Sequence, residues 1–142
     1  MKKTTKRLMA LLLAAVMLLA LAACGQKDAK DDGKVELPVA DGAVIGTGAT
    51  AITVEVQGAD GKSVTFTVNT DEETVGAALL KVGVIAGEDS DYGLYVKTVN
   101  GVTVDYDTDG KYWAFYVDGE YAATGVDSTD ITAGATYTFK AE

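Results

Sequence analysis

The sequence predicts an α+β fold in which a single short helix packs on an antiparallel or mixed β-sheet. Several short segments alternate apolar with polar residues, tight-turn dipeptides separate some of them, and one segment has helical periodicity. Alternation with a period of two is typical of half-buried strands, whereas a helix buries residues spaced three and four apart. We therefore expect several strands and one helix.

The strands are expected as hairpins. Asn100-Gly101 and Asp118-Gly119 are the dipeptides that two-residue hairpin turns favour, because both turn positions need a positive φ. The acidic segment at residues 87–93 is predicted as a loop. The predicted strands lie at residues 52–56, 64–68, 94–99, 102–106, 111–117 and 135–141.

The helix lies between the second and third strands. Val75, Ala78, Leu79 and Val82 give it one apolar face, and it is too short to be stable without packing on a sheet. A capping-box pattern predicts that it begins at Thr70, and a glycine predicts that it ends at residue 83. A hairpin, one helix across a face and further antiparallel strands form a β-grasp-like domain, which we place at residues 49–142.

The N-terminus has the pattern of an export signal. Four basic residues precede an uncharged apolar run of 14 residues at 8–21, which is shorter than the roughly 20 residues of a membrane span. Leu21-Ala22-Ala23-Cys24 resembles the bacterial lipobox, in which the cysteine thiol receives a diacylglycerol and the peptidase cuts before it. We expect a signal peptide at 1–23 and a lipid on Cys24 that holds the protein on the extracytoplasmic face of the cell membrane. The alternative is an ordinary signal with an incidental cysteine.

A polar segment follows the cysteine. Residues 24–48 are rich in charge and glycine and contain the only proline, so they are predicted to be a flexible tether. The alternative is that residues 35–39 add an edge strand.

The chain has a net charge of −9, and removal of the four basic signal residues leaves −13, which disfavours nucleic acid as a partner.

Composition restricts the chemistry of the domain. The chain has no histidine and one cysteine, so it lacks imidazole-based catalysis, imidazole metal ligands and an intramolecular disulfide. Paired carboxylates could serve a hydrolase, but a domain this small leaves little room for a cleft between them. We expect a non-enzymatic protein.

Tyrosines are the candidate ligand-binding residues. Alternation along residues 111–117 puts Trp113 towards the helix and Tyr112 and Tyr116 on the opposite face, where Tyr121 and Tyr95 are expected to join them. Tyrosine combines a flat apolar ring with a polar tip, which suits ligand or partner binding. The alternative is that these are ordinary half-buried sheet residues.

One acidic turn is a weak metal candidate. Asp105, Asp107, Asp109 and Gly110 reproduce the first half of a calcium-binding loop, but position 12, which needs a bidentate glutamate, holds Tyr116. A solvated hairpin turn is the preferred interpretation, and we expect no tight metal site.

Three segments resemble the transcobalamin-like C-terminal domain family: TVGAALLKVG, YGLYVKTVNGV and YWAFYVDGEYAATGVDS. These domains are common in exported lipoproteins of Gram-positive bacteria. The resemblance implies the β-rich fold and a Tyr-Trp strand followed by a glycine, here Tyr112-Trp113 and Gly125, and it makes cobalamin a candidate ligand. In the vitamin B12 carriers a helical domain completes the site, and this chain has none.

The expected function is therefore binding at the cell surface. We expect first a binding or adhesion module whose partner is a protein or a glycan. The alternative is that the domain captures cobalamin or another corrinoid. No cofactor is required by the sequence, and the expected partners are the membrane, through the lipid on Cys24, and a small molecule, surface protein or glycan.

Overall fold

The computed structural model describes residues 34–142. Nine strands form a six-stranded sheet with the order β1-β3-β2-β9-β7-β8 and a three-stranded sheet with the order β4-β5-β6. The strands are β1 Val44–Gly46, β2 Thr50–Gln57, β3 Ser63–Thr70, β4 Ile85–Ser90, β5 Gly93–Val99, β6 Val102–Thr103, β7 Trp113–Val117, β8 Glu120–Tyr121 and β9 Thr136–Ala141. Helix α1 spans Val75–Val82, helix α2 spans Tyr106–Asp109, and a 3-10 turn spans Val126–Ser128.

The larger sheet is mixed. Strands β2 and β3 form the predicted antiparallel hairpin, β9 runs parallel to β2, and β7 runs antiparallel to β9. Their inward side chains alternate as expected, and Val54, Phe66 and Phe139 are almost fully buried. Both predicted tight turns are present, with φ of 49° at Asn100 and at Asp118.

Helix α1 packs across one face of the sheet, but it begins later than predicted. Its N-cap is Thr74, whose side chain accepts a hydrogen bond from the amide of Ala77. Thr70 instead ends β3, and its hydroxyl accepts from the amide of Glu72 in a local turn. The predicted end is confirmed, because Gly83 caps the helix with φ of 80°.

Two predicted elements in the middle of the chain were wrong. The acidic segment after the helix is strand β4, which pairs antiparallel with β5 through a two-residue turn. Its side chains are exposed beyond Ile85, so apolar alternation could not reveal it. The predicted return strand at 102–106 stops at Thr103, and Tyr106 begins α2 because Asp105 caps that helical turn.

The stretch predicted to be a tether up to residue 48 is packed against the domain from Lys34 onwards. Strand β1 runs parallel to β3, so an edge strand exists at Val44–Gly46 rather than at residues 35–39. Buried Asn100 holds this segment: its Oδ1 accepts from the amide of Val39 at 2.6 Å, and its Nδ2 donates to the Val39 carbonyl at 3.2 Å. The predicted signal peptide, Cys24 and the first part of the predicted tether lie outside the described residues.

The fold is mainly β, with one packed helix and one short helical turn, which is compatible with the α+β class. None of the helices between residues 34 and 142 is long and apolar enough to cross a bilayer.

Candidate functional site

The candidate site is a groove on the helix-bearing side of the larger sheet, with a volume of about 340 Å³. One wall is the start of β5 and the other is the loop that follows β8. Trp113 and Phe115 of β7, together with Phe139 of β9, form its base. We call this feature the aromatic groove.

Four of the five predicted ligand-binding residues line the aromatic groove: Tyr95, Tyr112, Tyr121 and Gly125. Tyr121 is 63% exposed and Tyr95 is 38% exposed, so both rings are available at the rim. The sequence prediction placed these residues on the sheet face opposite the helix. The register agrees with this for Tyr121, because Tyr121 is paired directly with Tyr116 across β8 and β7, and the side chains of such a pair share one face. Tyr112 and Tyr121 therefore border the groove from the edge of the sheet.

Tyr116 is the exception, because it does not line the groove, although it is paired with Tyr121 across β7 and β8. Its hydroxyl donates to Glu142 Oε1 at 2.6 Å, and its ring contacts Tyr121 edge-on with centroids 5.4 Å apart. The Glu142 carboxylate raises the pKa of Tyr116, and the same hydrogen bond, with help from Lys140, lowers the pKa of Glu142. Tyr116 therefore supports the Tyr121 ring from outside the groove.

The neighbours of Tyr112 raise the pKa of its hydroxyl group. A side-chain hydrogen bond with Tyr121 raises the pKa of Tyr112 to about 12, and partial burial and the charge of Glu142 act in the same direction. The neutral phenol is therefore the stable form in the groove at neutral pH.

Trp113 is both a core residue and a groove residue. It is 6% exposed, and its Nε1 donates to the carbonyl of Lys97 at 3.1 Å, which links β7 to β5. The sequence assigned Trp113 to the core and omitted it, with Phe115, from the binding residues. Both face the helix side as alternation predicts, but β8 and its loop leave an opening above them that strand periodicity could not reveal.

Asp127 fixes the distance between the two walls. Its Oδ2 accepts from the amide of Leu94 at 3.1 Å, so the loop after β8 is tied to the start of β5. A side chain on Gly93 or Gly125 would approach the Asp127 carboxylate oxygens at 2.6 Å and 3.2 Å, and one on Gly76 of α1 would approach the Asp127 backbone at 2.9 Å. Helix α1, the β4–β5 hairpin and the loop after β8 thus meet at Asp127. Asp127 was not among the site residues predicted from the sequence.

The weak metal candidates form a closed turn. Asp105 accepts from the amide of Asp107, and Asp109 Oδ2 accepts from the amide of Asp105 at 2.9 Å, so two of the three carboxylates already cap the backbone. Across residues 34–142, no group of three or more acidic or cysteine side chains is arranged to hold a metal ion.

The sequence profile of DUF4430, a domain of unknown function, matches residues 72–142, from the turn before α1 to the last residue. The chain belongs to this family. The match contains every element of the aromatic groove. No curated protein sequence matches the chain.

Two solved structures are similar to the DUF4430 chain. One is described as a "putative metal binding protein" from Ruminococcus gnavus ATCC 29149, with 29% identity and a TM-score of 0.63 over 66% of this chain and 97% of that one. The other is haptocorrin in complex with Cbi, with 17% identity and a TM-score of 0.52 over 66% of this chain. The match spans 25% of haptocorrin, so the likeness concerns one part of that protein. The transcobalamin-like resemblance is confirmed as a likeness of fold.

Proposed function

We propose that this DUF4430 domain is a non-enzymatic binding module, anchored outside the cytoplasm by a lipid on Cys24, that captures its ligand in the aromatic groove. The observation that carries the proposal is the convergence of Tyr95, Tyr112 and Tyr121 on one opening of about 340 Å³. Ligand sites are usually concave and mostly apolar, with a few polar groups that set orientation.

The groove suits a ligand that presents a flat or ring-shaped apolar face. Its lining contains no charged residue, and it includes three tyrosines and one threonine. Rings of this kind bury apolar area while their polar tips remain near water, which is how tyrosine contributes to binding sites. A sugar ring, a planar cofactor or an aromatic side chain of a partner protein meets this requirement.

Corrinoid capture is the second candidate, and the likeness to haptocorrin in complex with Cbi favours it. A volume of about 340 Å³ is at the lower end of the range for ligand pockets, roughly 300–1,000 Å³. A corrin macrocycle with its amide arms would therefore be covered on one side only, and a second protein surface would have to cover the other. Corrinoid binding by this chain alone is accordingly expected to be weak.

The arrangement of the strands supports the β-grasp-like description as part of the same proposal. Strand β9 lies between β2 and β7 and runs parallel to β2, while α1 connects the first hairpin to the later strands. This places the Tyr-Trp strand next to the C-terminal strand and leaves the start of β5 to close the groove.

Calorimetry of the full chain against cobinamide, cobalamin and a glycan panel tests the proposal. Tyr121→Ala should weaken the binding of a ligand of the groove several-fold, up to about tenfold, because an aromatic stacking contact contributes about 0.5–1.5 kcal/mol. Tyr106→Ala is the matched control, because Tyr106 is 62% exposed and Tyr121 is 63% exposed, but only Tyr121 lines the groove.

A ligand whose affinity falls equally in both variants, or in neither, would show that the aromatic groove is not the binding site. Binding of a glycan that depends on Tyr121 would indicate that the function is adhesion. Binding of a corrinoid that depends on Tyr121 would indicate that the function is cofactor capture.

A further inference from the structure

The tight turn between β5 and β6 contains a chemically labile dipeptide. The chain has two asparagines, Asn69 and Asn100, and only Asn100 precedes a glycine. An asparagine before glycine loses its side-chain amide without an enzyme, because the glycine nitrogen has no neighbouring side chain to hinder its attack. Thr70 follows Asn69, and its branched Cβ crowds the same approach. Asn100 is therefore the asparagine at which deamidation is intrinsically fast.

Deamidation at this turn has a defined course. The backbone nitrogen of Gly101 attacks Cγ of Asn100, a C–N bond forms, and the bond from Cγ to Nδ2 breaks. Ammonia leaves with the proton of the Gly101 amide, and a five-membered succinimide ring remains. Water then opens either carbonyl of the ring, which gives aspartate or isoaspartate. The net change replaces an NH group by an oxygen atom, with water as the only co-reactant.

In the folded domain the Asn100 side chain is committed to other bonds. Its Oδ1 accepts from the amide of Val39 at 2.6 Å, and its Nδ2 donates to the Val39 carbonyl at 3.2 Å. The attack makes the planar amide carbon tetrahedral and expels Nδ2, so it breaks both bonds. Asn100 is only 5% exposed, and water therefore cannot replace them while the turn stays covered.

The N-terminal segment, residues 34–46, covers both residues of the dipeptide. Val39 binds the asparagine, and Leu37 lies over the glycine, because a Cβ on Gly101 would be 3.6 Å from the Leu37 Cβ. The protection of Asn100 therefore depends on whether this segment is docked.

The docked segment is attached at few points. Val39 is the only buried residue between positions 34 and 46, and β1 pairs with β3 over three residues. Segments with few buried contacts open locally at free energies well below that of global unfolding. Each opening of the segment exposes the dipeptide to water.

We infer that Asn100-Gly101 is a site of spontaneous deamidation that the N-terminal segment shields, and that the reaction makes release of the segment irreversible. An ionised carboxylate accepts hydrogen bonds but does not donate them, so neither product restores the bond to the Val39 carbonyl. Isoaspartate also adds a carbon atom to the main chain of the turn. The site is independent of the ligand that the aromatic groove binds.

Peptide mass spectrometry of the full chain during incubation at mildly alkaline pH measures the reaction at Asn100, with Asn69 as the internal control. A synthetic peptide of residues 97–104 gives the rate without any cover. Asn100 in the folded chain should deamidate at least about tenfold more slowly than in the peptide, because only the open fraction reacts. Equal rates in the chain and the peptide would overturn the shielding.

Two glycine variants distinguish release of the segment from general destabilisation. Gly46 and Gly134 have φ of 75° and 76°, so an alanine is similarly strained at both positions. The new Cβ in Gly46→Ala would also overlap the carbonyl oxygen of Asn69 in β3, whereas in Gly134→Ala it meets no atom within 4 Å. Gly46→Ala should raise the deamidation rate at Asn100 several-fold, and Gly134→Ala should leave it unchanged.

Asp41→Ala is a milder variant, because it removes one exposed bond, accepted from the Thr65 amide at 2.8 Å, that holds the segment. It should also accelerate the reaction, and it takes the place of Gly46→Ala should that variant not fold. Equal deamidation rates in the segment variants and in Gly134→Ala would show that the segment does not protect Asn100, and would overturn the inference.

Asn100→Asp tests the irreversible step. Hydrogen exchange along Val44–Gly46 should be at least several-fold faster in this variant than in the unaltered chain, because the segment no longer docks stably. Unchanged protection of β1 would show that aspartate still holds the segment, and would overturn the irreversible release.

Discussion

Replacement of Asn100 should loosen the attachment of the N-terminal segment, which contains Val39 and β1, to the rest of the domain. This asparagine occupies the first position of a tight turn with φ of 49°, it is 5% exposed, and its amide makes both hydrogen bonds to the backbone of Val39. Asn100→Gly keeps the turn, because glycine adopts positive φ readily, and removes only the side-chain bonds. The perturbation is therefore confined to the attachment of the N-terminal segment.

The magnitude follows from the two lost bonds. Each contributes about 0.5–1.5 kcal/mol net, and a buried donor left without a partner costs about 1–3 kcal/mol. We expect Asn100→Gly to lower the free energy of unfolding by about 2–4 kcal/mol. For a domain of this size that lowers Tm by roughly 8–15 °C.

Asp118→Gly is the matched control. Asp118 has the same φ of 49° at the same position of a tight turn, but its side chain makes one hydrogen bond, accepted from the amide of Thr136 at 2.9 Å, and that bond is exposed. Water can replace an exposed partner, so we expect a loss below about 1 kcal/mol. Denaturant unfolding followed by the fluorescence of Trp113 measures both changes.

Hydrogen exchange supplies the local test. Asn100→Gly should accelerate exchange along Val44–Gly46 more than along β9, since β1 depends on the segment that Val39 anchors. Equal destabilisation by the two glycine variants, or unchanged protection of β1, would refute the idea that Asn100 holds the N-terminal segment.

Four other predictions concern the anchor, the acidic turn, the Tyr-Trp strand and the groove tyrosines. Cys24→Ala should move the protein from the membrane fraction to the medium, and persistence in the membrane would contradict lipidation. Micromolar calcium should leave Tm almost unchanged, because two of the aspartates at 105–109 already bond to the backbone; a shift of several degrees would reveal a site. Trp113→Ala should cost about 3–5 kcal/mol, as aromatic truncations in cores do, and Tyr116→Ala clearly less, since water can replace its bond; equal losses would mean that both sheet faces are covered. The neutral form of Tyr112 is stabilised, so its contribution is complete below pH 10 and is lost as pH rises towards its pKa of about 12. Ultraviolet titration should show two tyrosines, Tyr112 and Tyr116, that ionise later than the ordinary value, and Tyr112→Phe should remove the later of them; an unchanged titration in that variant would contradict the raised pKa of Tyr112.

Periodicity predicted the elements that have one buried and one exposed face. The β2–β3 hairpin, both tight turns, the helical face and the closing strand all have this property, and all are present. Strand β4 was missed because its side chains beyond Ile85 are exposed on both faces, so its pairing depends on backbone bonds to β5 that leave no pattern in the sequence.

The candidate site was predicted in its residues but not in its geometry. Aromatic type and position identified Tyr95, Tyr112 and Tyr121 as candidates, but strand alternation could not show that a groove opens beside them. One wall of the groove is the loop after β8, which Asp127 ties to the start of β5, and that contact joins residues 33 positions apart. Such long-range contacts cannot be read from local spacing.

The folded N-terminal segment limits where the domain can work. Because packing begins at Lys34, only residues 24–33 lie between the proposed lipid and the folded domain. Even fully extended, ten residues span at most about 35 Å. A protein anchored in this way remains within roughly one domain diameter of the bilayer, so its ligand must diffuse to the membrane surface before it is captured.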